Sequence, residues 1–339
     1  MTGAGPMPLT GLAAIRDEMA RQKEDARTTL GQAQDRAATV AASIRRTGRL
    51  LLLGMGASHG LNRAVEPLFR HLGIDAMAVA LSEQLDHPLP TAGRTVIVTS
   101  QSGESAEVVR WLQGPGPHGD CFGLTMDAGS TLGRALPGLV GAGGVETGFA
   151  ATRSLYVGVA LYGAVLGALG VDVAGLRAAF DLPDAPDITP AVALLGGAGS
   201  IVTSGRQLRG LAETLALGFI ELARLPSFAI EGGQFRHGPM EMLGPGLGAV
   251  FFRGSDATGD RVAALAEAAA VTGTRTVVLD ASGKAPAAGC LTLSPGRHDG
   301  LAALAAILPV SQHLMIGVAA DRVAEPGVPM RTQKVTRTE

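Results

Sequence analysis

The 339-residue chain carries 28 Lys and Arg against 30 Asp and Glu, a net charge of −2. That near balance leaves no basic surface to argue for nucleic acid or an anionic membrane as partner. Its length exceeds one compact core and, at ~150 residues per domain, predicts two lobes. The opening Met-Thr-Gly-Ala-Gly-Pro lacks the charged-then-apolar order of a signal peptide. Cys121 and Cys290, the only cysteines, lie in or beside apolar runs far apart. Buried thiols in a reducing, cytoplasmic setting are expected, without disulfide or metal site.

Residues 9–46 read as a long polar helical region with thin apolar content (Ile15, Met19, Leu30, Val40). Such a helix suits an arm, residues 1–47, lying on another subunit, which hints at a homodimer. Residues 50–53 follow as a buried strand, then a Gly-rich turn from Gly54 to Gly60 and a helix to His71. The third glycine of a dinucleotide fingerprint would fall on His59, and no suitable acidic residue follows, so NAD is discounted and no cofactor is expected. Ser58 is left as a hydroxyl for another ligand.

Residues 75–79, 95–99 and 121–125 give three more strands with helices between them. That alternation predicts an α/β lobe, 48–172, with a parallel sheet covered by helices on both faces and its ligand site at the carboxyl strand ends. The turn Ser100-Gln-Ser-Gly-Glu-Ser105 stands at such an end. A plain helix N-cap uses one hydroxyl, whereas Ser100, Ser102 and Ser105 offer three, with Gln101 adding an amide. Beside the free N–H groups of the next helix they suit a phosphate dianion, and Gly103 lets the backbone approach.

Two stretches, 155–171 and 301–320, contain no charged residue and approach the ~20 residues that span a bilayer. Four glycines interrupt the first, and Pro309, Ser311, Gln312 and His313 the second. Buried helices explain both better, packed near each other between the lobes or at a subunit interface. A linker at 173–189 leads to a second lobe, 190–321, that repeats the first at an offset of about 150 residues. Ile201-Val-Thr-Ser-Gly205 matches Leu51-Leu-Leu-Gly-Met55, while the runs from Ala249 and Thr276 echo those from Ile97 and Cys121. Of the hydroxyl loop the second lobe keeps Ser255 and Thr258.

The second lobe offers chemistry instead. Its helix 207–223 carries Glu213 and Glu221, about 80° apart around the axis. Glu221 stands among Phe219, Ile220, Leu222 and Leu225, a setting that raises a carboxyl pKa toward that of a general base. A salt bridge to Arg224 is the alternative. His237 sits in a Gly/Pro-framed turn, where a site residue is favoured. The tail 322–339 has no periodicity. It reads either as a disordered terminus or as a segment bringing Lys334 over a site.

Ser100-Gln-Ser-Gly-Glu-Ser105, Glu146-Thr-Gly-Phe-Ala-Ala-Thr-Arg153, Phe235-Arg-His-Gly-Pro239 and Lys334-Val-Thr, taken in order, resemble the double sugar-isomerase (SIS) domain family. The likeness spans the chain from residue 48 on, toward the isomerase half of glucosamine-6-phosphate synthases and the SIS-type glucosamine-6-phosphate deaminases. It implies two tandem SIS domains, each a flavodoxin-like three-layer sandwich, and an enzyme acting on an amino-sugar 6-phosphate. It further implies that Ser58, Ser100, Gln101, Ser102 and Ser105 hold the phosphate while Gly56 and the backbone around Ala151 and Thr152 line the sugar. Glu221 would shuttle the proton between C1 and C2, His237 from the neighbouring subunit would open the ring, and Lys334 would lie near the anomeric oxygen. Gly218 stands where the synthases have a lysine, and Ala57 where they have a hydroxyl. No glutaminase domain precedes the first lobe, so glutamine is not expected as nitrogen donor. Phe235-Arg-His-Gly-Pro-Met-Glu-Met also resembles deglycases of fructosyl-amino-acid phosphates, the second reading. A non-catalytic sugar-phosphate sensor is the third, disfavoured because it would need none of Glu221, His237 and Lys334.

Overall fold

A computed structural model of the chain describes residues 10–114, 119–183 and 185–338. The opening segment tested above for a signal peptide lies outside the described residues. Two five-stranded parallel sheets form the frame. In the first, β1 (Arg49–Gly54) lies between β2 (Asp75–Ala80) and β3 (Thr95–Thr99). β4 (Asp120–Thr125) and β5 (Gly138–Val140) extend the β3 side. The second sheet repeats that order, with β6 (Ser200–Gly205) between β7 (Ser227–Glu231) and β8 (Leu247–Arg253), then β9 (Arg275–Asp280) and β10 (Leu291–Leu293).

The strands matched in sequence are thus equivalent, but two of the three matches slip by one residue. Gly205 ends β6 beside Phe252 as Gly54 ends β1 beside Thr99. The strands are apolar because both faces are covered. Leu50, Leu52 and Ile97 face one core, and Leu51, Leu53, Val96 and Val98 the other.

The inner core is common to both lobes. It joins the inner faces of the two sheets to α3 (Gly56–His71), α7 (Arg153–Ala168), α10 (Arg209–Ala223) and α12 (Gly300–Arg322). Separate outer cores lie under α5 (Ala106–Gln113) on one side and α11 (Gly259–Val271) on the other. α3 and α10 cross closely because glycines meet there: a Cβ on Gly210 would stand 2.4 Å from Gly60 O. α12 is long and apolar enough to cross a membrane, yet 89% of its most apolar window is buried within the fold. The two apolar helices meet as expected, Gln312 Nε2 of α12 donating to Thr152 O at the start of α7 (3.1 Å).

The N-terminal arm is where the structure departs from the sequence reading. It breaks at Ala33 into α1 (Gly11–Gln32) and α2 (Gln34–Thr47), and both lie on their own chain. Ile15, Leu30, Val40 and Ile44 are fully buried in the shared core. The arm looked solvent-facing because several polar residues are themselves interior partners: Glu18, 1% exposed, pairs with Arg153. The linker also has structure, a short helix (Ala174–Ala179) lying against α12.

Candidate active site

The first sheet reverses its winding between β1 and β3, and such an order opens a crevice at the carboxyl ends of those strands. A cavity of 290 Å³ occupies that crevice. Gly56 and Ser58 line it from the first turn of α3, and Ser100, Gln101, Ser102 and Ser105 from the β3–α5 turn. Ala151, Glu221 of α10 and Lys334 of the tail close it.

At the serine end, the hydroxyl oxygens brace the turn and leave their protons for a ligand. Ser100 Oγ accepts from Gly103 N and Ser102 Oγ from Glu104 N, each at 3.2 Å. Ser105 is the residue before the first turn of α5, yet its side chain makes no capping bond. The hydroxyl is therefore not consumed by the role that sequence alone left open. Gly103 has φ +65°, and a Cβ there would stand 2.1 Å from Ser130 Oγ, so the turn tolerates no side chain. Gln101 Oε1 accepts from Glu146 N (3.1 Å), tying this turn to the next loop. Lys334 is the one cationic side chain lining the cavity among the described residues. An anion held here relies on hydroxyls and on the N-terminal end of α5.

The opposite end carries Glu221 and Lys334. Burial pushes the Glu221 carboxyl up to about 7, with Lys334 pulling it down and Glu146 pushing it further up. The bridge to Arg224 does not form. Arg224 ends α10 with φ 51° and donates instead to Val328 O of the tail (3.2 Å). A carboxyl that half-ionises near neutral pH can both take and return a proton.

The tail, too, is placed. Ala106 N donates to Thr336 O (2.9 Å), and Lys334 Nζ binds Glu146 Oε2 (3.1 Å). Glu146, 1% exposed, also accepts from Thr152 N (2.8 Å), Thr152 Oγ1 (2.9 Å) and Ser154 Oγ (2.5 Å). Burial opposes its ionisation, but Lys334, Ser154 and Thr152 outweigh that, so its pKa lies below the usual carboxylate range. Arg153 next to it is anchored to Glu18 and Asp25 of α1.

Two expected residues stand elsewhere. Thr152 is fully buried behind the cavity wall, where it holds Glu146 rather than facing a ligand. His237 is exposed beyond a short 3-10 turn (Gln234–Arg236) and is not among the residues lining the cavity of its own chain. Glu213 belongs to the lobe contact, 3.5 Å from Arg63. Glu146 received no role from the sequence, although it opens one of the motifs. Glu107 also went unassigned; it lines the cavity with an Oε2 that has no hydrogen-bond partner. Among the described residues no group of three or more His, Cys, Asp or Glu is placed to hold a metal.

No protein-family model matches the chain. It is 33% identical over 229 residues to the glutamine–fructose-6-phosphate aminotransferase of Aeropyrum pernix, covering 59% of this chain and 36% of that protein. A counterpart from Arabidopsis thaliana is 26% identical over 226 residues, 60% of this chain and 33% of the relative. The match thus spans about a third of the length of those relatives. Among solved structures, the C-terminal domain of glucosamine-fructose-6-phosphate aminotransferase from Francisella tularensis superposes with a TM-score of 0.82 at 16% identity, covering 93% of this chain and 98% of that one. Tagatose-6-phosphate ketose/aldose isomerase from Escherichia coli gives 0.78 at 19% identity, covering 97% and 98%. Glucosamine-6-phosphate deaminase from Thermotoga maritima gives 0.73 at 18% identity, covering 96% and 98%. At these identities the superpositions establish the fold, two parallel α/β lobes in tandem.

Proposed function

We propose that this chain, homologous to the isomerase portion of glutamine–fructose-6-phosphate aminotransferases, is a phosphosugar isomerase whose substrate is an amino-sugar 6-phosphate that it deaminates. The observation that carries this reading is Glu221: a carboxyl raised to about 7 opens into a serine-lined cavity at the end of a helix.

The phosphate is held by Ser58, Ser100, Gln101, Ser102 and Ser105 with the start of α5. Glu221 as carboxylate removes the proton from C2 of the open-chain aldose, and the electron pair moves toward the C1 carbonyl, whose oxygen takes a proton. The resulting enolamine is reprotonated at C1 by the Glu221 acid, which leaves a C2 iminium. Water adds there and ammonia leaves, giving fructose-6-phosphate. Lys334 stabilises charge developing on the C1 oxygen. The cyclic sugar must first open, and His237 of a neighbouring subunit serves as the acid–base group for that step. A phosphate anchor remote from the reacting carbons supplies binding energy that the isomerisation itself does not have to provide.

The test is a coupled assay. Glucosamine-6-phosphate should yield ammonia and fructose-6-phosphate in equal amounts. Aldose–ketose conversion of an unaminated sugar phosphate without ammonia would keep the isomerase and remove the amino-sugar assignment. Release of an amino acid from a fructosamine phosphate would identify the deglycase instead.

A further inference from the structure

A second cavity, of 320 Å³, lies between α1 and the C-terminal half of α12, and none of the residues lining it belongs to the sugar-phosphate site. Met19, Ala20, Ile188 and Ile316 make most of its wall apolar, while Arg16, Gln22 and His313 bring polar groups to it. Gln22 is 1% exposed and its Oε1 accepts no hydrogen bond. A buried acceptor left without a donor is unfavourable, and the cavity it lines is where a donor can enter. Arg16 is exposed and forms no ion pair with any described residue.

These three features define one kind of molecule: a negative group for Arg16, an N–H or O–H for Gln22 Oε1, and a compact apolar body for Met19, Ile188 and Ile316. We propose that this cavity is a second ligand site, for a small apolar α-amino or α-hydroxy carboxylate. Its position also links it to the first site. On α1, Glu18 lies four residues from Gln22 and accepts from Thr147 N (2.8 Å). On α12, Gln312 adjoins His313 and donates to Thr152 O. A ligand bridging the two helices therefore stiffens both supports of the loop that presents Glu146 to Lys334.

The experiment uses the full chain, thermal shift and titration calorimetry, with three probes: L-leucine, its hydroxy-acid analogue leucic acid, and isocaproate, which keeps the carboxylate and lacks the donor. Leucine or leucic acid is expected to raise the melting temperature, and whichever binds tighter identifies the donor. Isocaproate should bind about tenfold more weakly, the loss of one hydrogen bond to a buried acceptor. Gln22→Met keeps the volume and should erase that difference, and Arg16→Ala, at an exposed position, should weaken all three probes. Absence of binding by every probe at about 10 mM, an affinity too weak for a built site, would overturn the proposal. So would a Gln22→Met protein that still prefers the donor-bearing probes. Because the readout is binding rather than turnover, failure here leaves the sugar-phosphate reading untouched, and the reverse holds as well.

Discussion

Burial favours the protonated form of Glu221, whereas a general base starts as the carboxylate. Its carboxyl titrates at about 7 in the fold, raised chiefly by burial from the ordinary 4.5. Between those values the folded chain holds a proton that the unfolded chain has released. Stability contributed by this group is therefore full at low pH and is lost as pH rises through about 7. Glu221→Gln removes the titration. At pH 8 it is expected to unfold later than the parent, by on the order of 2 kcal/mol, while turnover falls at least about 100-fold; denaturant melts at pH 5 and pH 8, run beside the assay, check both. Lys334 acts in the opposite direction on the same carboxyl. Lys334→Met should shift the acidic limb of the pH–rate profile upward, and an unmoved limb would detach Lys334 from the base. Glu221 was legible as a base only through the family resemblance, because its sequence alone favours a bridge to Arg224. Glu146 was not, since its partner Lys334 lies 188 residues away and its other donors gain meaning only once the loop is folded.

At the scale of elements, the cavity depends on how α3 and α10 cross, because α3 begins with Gly56 on one side of it and α10 carries Glu221 on the other. A Cβ on Gly210 would meet Ala64 N at 2.2 Å and Gly60 O at 2.4 Å, both backbone atoms that cannot turn away. A Cβ on Gly60 would first meet Thr214 Cγ2 at 2.5 Å, a side-chain methyl. Gly210→Ala should therefore cost about 1–3 kcal/mol in thermal or denaturant unfolding, and Gly60→Ala less. Equal costs would mean the crossing is looser than the geometry indicates. Strand and helix types were readable from apolar runs and turn glycines, but these close approaches were not. Two glycines in different helices carry no signal until the crossing brings them together. The same limit explains the one-residue slip in matching the two lobes, since a uniformly apolar strand looks alike in either register. It explains β5 and β10 as well, whose three residues are too few to show a pattern.

The whole molecule has one shared inner core rather than two independent ones, so its lobes are fixed relative to each other and the cavity is built from both. Length alone argued for two lobes, and two sheets form, but it said nothing of this fusion, which comes from α7 and α12 burying nearly all their surfaces between the sheets. What the single chain does not supply is His237 at the cavity. That residue is exposed, as are the large apolar side chains Ile220 beside Glu221, Phe228 on β7 and Met330 in the tail. Apolar exposure on these elements suits a second copy of the chain, whose His237 would enter the neighbouring site. Glu221→Gln and His237→Ala homodimers should each be nearly inactive, yet in a heterodimer one of the two sites combines an intact Glu221 with an intact His237. Refolding the variants together in equal amounts gives half heterodimers, and so about a quarter of the parent activity should return. If the mixture stays as inactive as its components while light scattering shows a dimer, His237 does not act across the interface. Recovery of that fraction would place the ring-opening acid on one subunit and the proton-shuttling base on the other, and would make assembly a condition of turnover.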